Sequence, residues 1–548
     1  MKSRIRPVIG LLAAPLPIIA LAATPAFAAQ PAAQTPAALR GDVVAAVSHS
    51  IRTGDVAADQ RISVAVSLTQ RDTAGLDTFL NRVTDPSSPD YQHYLTVDQF
   101  AQRYGATQDT VAKVSAYLAG QGLQVGQVTA NRLTIEASGT AAQVQKAFGT
   151  SLANYRDNQD GRTYFANTGA PQLPADIASV VTDVSGLNSY AKFTHDSVKN
   201  TSPAASSKAP TGLSPTTARS AYNLTSAISA GYTGSGATVG LLEFSGFKQS
   251  DITAYDKQFS LKPSTPTVVA AGGGTTDLSG QDEVDLDIEV VQALAPGATV
   301  KVYEAPNSDA GETAIYAKLV SDNVPVISIS WGTDEADETA SNRVAVDADL
   351  QEAAAQGQSV YAASGDSGSD DAGNGGTSVD FPAADPYVTG AGGTTLTTGS
   401  GGAWSKETAW SGSGGGVSSY FNTPSYQTPV NTGTFRTVPD VAAVADPSTG
   451  WAIYTGGSWN EYGGTSAAAP NWAAFTAVYN SEAKAKGAAS FGFANSRIYT
   501  LATSSSYSSA FHDAKTGSNG AYKAGTGYDK VTGWGSYNGA NFLKAELG

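Results

Sequence analysis

The chain of 548 residues contains no cysteine. Disulfides, thiolate zinc sites and a cysteine nucleophile are therefore excluded. A secreted protein without disulfides needs another staple, such as a large core or a bound metal. Histidine is almost as scarce: His49, His93, His195 and His512 are the whole supply. Charge is sparse too. Charged residues are 15% of the chain, 33 basic against 48 acidic, giving a net charge of -15 and a pI near 4.7. Nucleic acids and anionic membranes both require a basic surface, so neither is an expected partner. Few charges with carboxylates in excess also suit an acidic medium, where carboxylates neutralise instead of repelling. Beyond the N-terminus no apolar run is long enough to span a bilayer.

What is present is enough for a core. Hydrophobic residues are 41% and aromatics 9% of the chain, which argues against general disorder, and 58 glycines imply many tight turns. The length allows two or three domains. Lys2, Arg4 and Arg6 precede an apolar run over 9–22 that is broken by Pro15 and Pro17, and Ala26 and Ala28 bracket Phe27 in a signal-peptidase pattern. Residues 1–28 therefore read as an export signal, and the expected location is extracellular.

An Ala/Pro/Gln-rich stretch follows to about Leu39. Residues 41–190 read as a small α+β unit, with strands over 62–68, 132–137 and 152–155 and helices over 73–83, 109–121 and 141–148. Asp109 is the expected N-cap of the middle helix. Helices on an antiparallel sheet suit this order. Residues 191–212 form a linker, richest in Ser, Pro and Ala over 201–210, and linkers are where proteolytic nicking falls. Residues 213–548 read as one large domain. Strands over 237–244, 299–304, 324–330 and 359–363 alternate with helices over 283–294, 314–321 and 343–356. That alternation predicts a parallel sheet with helices on both faces and chemistry at the carboxyl ends of its strands.

Three motifs carry candidate chemistry. In Gly463-Gly464-Thr465-Ser466-Ala467-Ala468-Ala469-Pro470, Ser466 opens a helix, where free N–H groups and the helix dipole favour an oxyanion. On composition alone an ordinary N-cap explains the serine better. A serine nucleophile needs a base. The large domain contains only His512, which follows Ser466, so a triad in the order Asp, His, Ser is excluded. Glu283 and Asp287 lie four apart on one helix face, beside a stripe of Val284, Ile288 and Val291. Two carboxyls so close raise one pKa or share a proton. A solvated acidic first turn accounts for the pair equally well, and it is the expected state of Asp282, Asp285 and Glu289. Asp366, in Ala363-Ser364-Gly365-Asp366-Ser367-Gly368, follows a buried strand. It is either an Asx turn or, while protonated, a donor to an oxyanion.

Together, Glu283, Asp287, Asp366 and Ser466 in this order resemble the sedolisin family of serine-carboxyl peptidases, kumamolisin-like members in particular. The octet around Ser466 matches the motif shared by subtilisin-like and sedolisin-like enzymes. Pro89-Asp90-Tyr91-Gln92-His93-Tyr94-Leu95-Thr96 resembles the family's pro-domain signature, and the resemblance covers nearly the whole chain. It implies a subtilisin-like parallel sheet flanked by helices, preceded by a small ferredoxin-like α+β pro-domain that inhibits the enzyme and helps it fold. It makes Ser466 the nucleophile, Glu283 the base, Asp287 its positioning partner and Asp366 the oxyanion residue. Ser330, Trp331 and Gly332 become a substrate-flanking strand, and Glu243 an acid supporting the base. It also implies one structural Ca²⁺, held by the side chains of Asp513 and Asp529 and the backbone oxygens of Ala514, Gly525 and Gly527, all hard oxygen ligands. Ala514 replaces a larger aliphatic residue, which a backbone ligand tolerates, and the intervening loop is rather short for the family.

The expected protein is thus a secreted, acid-active, self-processing endopeptidase, monomeric, with protein or peptide substrates and its own pro-domain as partner. The rivals are a tripeptidyl exopeptidase with the same four residues, a neutral enzyme recruiting His512, and an inactive peptidase fold used for binding.

Overall fold

Strict alternation builds the first sheet. In β1 (Arg61–Leu68) Ile62, Val64, Val66 and Leu68 are all buried. Helices α1 (Thr73–Val83) and α2 (Gln108–Gly120) follow, then β2 (Gln124–Val128), β3 (Thr134–Thr140), α3 (Ala141–Phe148) and β4 (Val181–Ser185). The strand order is β2-β3-β1-β4, antiparallel throughout. This is the split βαββαβ, or ferredoxin-like, arrangement. The N-cap of α2 is Thr107, whose hydroxyl accepts from Thr110 N at 3.0 Å, and not Asp109. Asp109 instead lies in the first turn, where its charge suits the helix dipole. A Thr140/Gln143 capping box starts α3, and Gly149, at φ 55, ends it.

The structure, a computed structural model, describes residues 36–39, 43–159, 161–190, 193–202, 206–207 and 209–548 besides Met1. The expected export signal and most of the Ala/Pro/Gln-rich stretch lie outside the described residues. Residues 36–548 form one compact unit. Among the described residues no helix is long and apolar enough to cross a membrane.

Two short strands come next, β5 (Thr194–His195) and β6 (Val198–Lys199), and then the main sheet begins. Its elements in chain order are β7 (Thr238–Glu243), β8 (Thr267–Ala270), α4 (Gln281–Leu294), β9 (Thr299–Glu304), α5 (Asp309–Ser321), β10 (Val326–Ile329), β11 (Trp331–Asp334), α6 (Ala340–Gln356), β12 (Ser359–Ala363), β13 (Asp380–Phe381), β14 (Thr389–Thr398), β15 (Trp404–Ala409), β16 (Val441–Val444), β17 (Ser458–Gly463) and α7 (Ala468–Lys486). The order is β8-β9-β7-β10-β12-β14-β15, with β16 also beside β14; β11, β13 and β17 stand outside it. The sheet expected to be parallel is mixed. Every pairing is parallel except β14 with β15, because a short connection at 399–403 returns the chain as a hairpin.

Helix α4 corrects a second expectation. Asp285 and Glu289 are fully buried, not solvated. Asp285 accepts from Gln281 Nε2 at 2.9 Å, and Glu289 from the backbone of Tyr454 at 2.9 Å. The strand over Trp451–Thr455 and α7 close around the helix, so only Asp282 keeps partial exposure. Side-chain amides of the N-terminal domain meet acids on α5 and α6. Asn188 Nδ2 donates to Asp309 at 2.6 Å and Asn131 Nδ2 to Glu352 at 2.6 Å.

Helix α7 runs under the main sheet. Its Trp472 is fully buried, meets Tyr537 edge-on at 4.9 Å and donates Nε1 to Ala442 O at 2.9 Å. Truncating it leaves both a cavity and an orphaned carbonyl. Trp472→Ala, made in a Ser466→Ala background to prevent self-digestion, should therefore lose about 3–5 kcal/mol in urea unfolding.

Candidate active site

Ser466 sits in a single 3₁₀ turn, Thr465–Ala467, between β17 and α7, and is fully buried. Gly464 enters this turn at φ 95. A side chain there would strike Asp196 O at 2.0 Å and Asp366 Oδ2 at 2.5 Å, so glycine is required by both conformation and space. The Ser466 hydroxyl donates to Ser330 O at 3.4 Å. Asp366 follows β12. Its Oδ1 accepts from Thr465 N at 2.7 Å and Thr465 Oγ1 at 2.9 Å, while Oδ2 is buried without a partner beside Gly464. Burial, reinforced by Glu283 and Asp371, pushes the Asp366 carboxyl up to about 8.

The first turns of α4 supply the other acids. Glu283 and Asp287 are fully buried, as is Glu243 at the end of β7. Asp287 accepts from Ser330 Oγ at 2.9 Å, and Trp331 Nε1 donates to Glu243 Oε2 at 2.8 Å. Burial, and then the charge of the other acids, raises both Asp287 and Glu243 well above the ordinary range, and the two share a hydrogen bond. They therefore hold protons where exposed carboxyls have lost them.

The segment expected to be a linker crosses this site. β5 pairs antiparallel with β11, Thr194 against Gly332 and His195 against Trp331, and Asp196 N donates to Ser330 O at 3.1 Å. On the far side β6 pairs with β17, Val198 against Gly463 and Lys199 against Tyr462. Between the two ladders the backbone N–H of Ser466 donates to Asp196 O at 3.0 Å. The Asp196–Ser197 peptide bond thus lies at Ser466. Upstream, Phe193 is buried against Phe244, ring centroids 4.9 Å apart, and Asn307 bonds both its N–H and its C=O.

Sequence reasoning missed His195. It lies outside the large domain as delimited, yet its Nδ1 is 3.3 Å from Glu283 Oε2 and its ring meets Trp331 edge-on at 5.1 Å. It also missed the acids Asp334, Asp371 and Asp380 nearby, because each sits in an unremarkable turn or short strand. His512 is engaged elsewhere. It stacks on Trp404 at 4.2 Å, and burial lowers its pKa to about 4.

Asp513 and Asp529 come together in the C-terminal loops. Asp513 Oδ2 accepts from Gly527 N at 3.0 Å and Asp529 Oδ2 from Gly525 N at 2.9 Å, so both carboxylates face one glycine-rich loop. Burial raises the Asp529 carboxyl, and the exposed Lys515 ammonium lies 3.8 Å from Asp513. The pair brings two carboxylates, the hard-oxygen donors that calcium takes, to one loop, and among the described residues no third acid or histidine side chain joins them.

The chain is similar to known proteins over nearly its whole length. Residues 48–190 match the pro-kumamolisin activation domain, and residues 265–535 the subtilase family. Kumamolisin from Bacillus sp. (strain MN-32) is 34% identical over 91% of this chain and 94% of its own length. Sedolisin from Pseudomonas sp. (strain 101) is 34% identical over 88% of this chain and 86% of its own. Human tripeptidyl-peptidase 1 is 27% identical, covering 89% and 92%. The solved structure of Pseudomonas sedolisin, a serine-carboxyl proteinase complexed with two molecules of pseudo-iodotyrostatin, superposes with a TM-score of 0.56 at 33% identity, over 61% of this chain and 98% of that one. With 34% identity to kumamolisin and to sedolisin over most of its length, the chain belongs to the sedolisin family and is a serine-carboxyl peptidase, a hydrolase.

Proposed function

We propose that the protein is a secreted, acid-active endopeptidase that frees itself from its pro-domain by cutting the Asp196–Ser197 bond. One observation carries the reading: the chain's own segment lies across the site in extended form, with Asp196 O on the Ser466 N–H at 3.0 Å. Ser466 Oγ attacks the Asp196 carbonyl carbon while Glu283 takes the hydroxyl proton. Asp287, held by Ser330, keeps Glu283 in position, and Glu243 supports the pair. The Ser466 N–H and protonated Asp366 hold the oxyanion. Glu283 then protonates the Ser197 nitrogen as the bond breaks, and water releases the acyl group by the reverse steps. Substrates follow the same path, with Ser330, Trp331 and Gly332 as the flanking strand.

The upstream path favours an endopeptidase over a tripeptidyl exopeptidase. Phe193, fourth before the bond, is bound through backbone and ring, so the cleft continues past the third residue. Calcium, held by Asp513 and Asp529 with the backbone oxygens of Ala514, Gly525 and Gly527, serves as a structural staple in a chain without disulfides.

Three outcomes follow. Purified zymogen incubated at about pH 4 should process itself and cut an unstructured protein, with Ser197 as the new N-terminus by mass spectrometry, whereas Ser466→Ala should do neither. An inert, folded wild-type protein would reduce the site to a binding surface.

Asp366 is neutral below about 8, so its donated hydrogen bond is present in acid and lost as pH rises through that value. Asp366→Ala should lower kcat about 10²–10³-fold. Asp366→Asn cannot ionise and should flatten the alkaline decline; a fully active Asn variant with an unmoved pH profile would sink the oxyanion role.

Chelation by EDTA should lower the thermal midpoint of the Ser466→Ala protein, and Asp529→Ala should lower it without further response to EDTA. Identical melting with and without chelator would remove the calcium assignment.

A further inference from the structure

The crossing segment brings a basic group to the general base. His195, the second residue before the Asp196–Ser197 bond, is held in β5 by its pairing with Trp331, and its ring meets that indole edge-on at 5.1 Å. Its Nδ1 lies 3.3 Å from Glu283 Oε2 and 3.0 Å from Ser197 Oγ, so the imidazole touches both the base and the residue just after the bond. Glu283 is fully buried, and neither of its oxygens has an aligned hydrogen-bond donor. A carboxylate in that state is costly unless a cation stands beside it. The other groups around the pair do not provide one. Asp282 and Asp287 lie on α4, Glu243 ends β7, Asp366 follows β12, Tyr462 lies on β17, and Asp196 adjoins His195 on the segment. All are acids or a phenol, and His195 is the one basic group among them. Burial, followed by Asp366 and Asp371, raises the Asp196 carboxyl well above the ordinary range, so in acid Asp196 adds no negative charge of its own.

We propose that His195 is a positioning residue for self-processing: its imidazolium pairs with the Glu283 carboxylate and keeps the base ionised in acid while the segment is cut. The inference rests on the self-processing reading above and adds a residue to it. The ring is charged where the charge is needed. Burial opposes it, but the hydrogen bond and charge of Glu283, then the charges of Asp282 and Asp366, together raise the imidazole above its ordinary range. The imidazolium is therefore present in acid and lost as pH rises through that raised value. An opposite charge this close favours the ionised form of a carboxyl. Glu283 can pair through Oε2 and still take the Ser466 proton on Oε1, which is buried and without a partner. His195 lies before the cut and departs with the pro-domain. The mature enzyme regains the assistance only where a substrate brings a histidine to the same place. Self-processing thus reaches further into acid than the turnover of other substrates.

The test follows first-order processing of the full-length zymogen from about pH 3 to about pH 6, wild type beside His195→Gln. Glutamine keeps an N–H donor for Glu283 and removes the charge. The ratio of the rate at about pH 3 to the rate at the optimum should fall about tenfold in the variant, a ratio read within one protein. A second arm needs no variant. Wild-type mature enzyme is given two quenched peptides that differ only in His or Gln at the second residue before the scissile bond. The acid limb of kcat should lie at lower pH for the His peptide, because kcat reports groups in the bound complex, while kcat/KM, which reports the free enzyme, keeps a common acid limb. Superimposable normalised kcat profiles for the two peptides, or a zymogen limb that moves the other way, would overturn the inference while leaving the peptidase reading intact. A wild-type zymogen inert across the whole range would overturn that reading and this inference with it.

Discussion

A carboxyl group shut away from water keeps its proton, and the active site is built on that constraint. Asp287, Glu243 and Asp366 are all enclosed by protein, and burial is the largest cause of the upward shift in each. Clustering adds to it, because each ionised neighbour makes the next proton harder to lose. A protonated Asp366 can donate where a carboxylate could only accept. The same desolvation that makes isolated buried acids expensive thus supplies a proton donor beside Ser466 without histidine. The fold provides it through β7, α4, β10 and β12, whose ends or first turns converge with the start of α7.

Backbone pairing supplies the second half of the design. The segment over 194–199 changes partner at Ser466, from β11 upstream to β17 downstream. A chain held in extended form on both sides presents one carbonyl to the turn N–H of Ser466, and here it is that of Asp196. Gly464 makes room for it, which is why the turn enters at positive φ with no side chain. The register therefore sets which carbonyl faces Ser466, and the side chains of Thr194, His195 and Asp196 decide how comfortably the segment lies there.

Much of this was legible in sequence. Apolar alternation gave the strands, and the spacing of Glu283 and Asp287 put both on one helix face. The octet at Ser466 carried its own turn. What could not be read was which acids of α4 are enclosed. Asp285 and Glu289 look like a solvated face, yet both are buried, each with one oxygen bonded, to Gln281 and to the Tyr454 backbone, and the other without a partner. Asp371 and Asp380 carry no motif, and only the fold brings them together. His195 was discounted because a composition change suggested an open tether, whereas the segment finds strand partners on both flanks. The hairpin that reverses β15 likewise depends on a five-residue connection that alternation does not reveal.

The same acid logic runs through the contact between the pro-domain and the peptidase domain, with a sign of its own. Asn188 donates to Asp309 and Asn131 to Glu352, with Asp349 alongside. Burial raises Asp309 to about 7 and Asp349 to about 8. A carboxyl whose pKa is raised in the assembled state contributes its stability fully in acid and loses it as pH rises through the raised value. Titration of these groups therefore tightens the contact in the acid that protonates Asp366 and Asp196. Acid alone does not loosen the pro-domain through them. In the self-processing proposed above, cutting the Asp196–Ser197 bond would leave the two domains untethered. Their separation then becomes a matter of concentration and dilution, not of an intramolecular equilibrium. On that proposal the covalent step, and not the charge state of the interface, commits the chain.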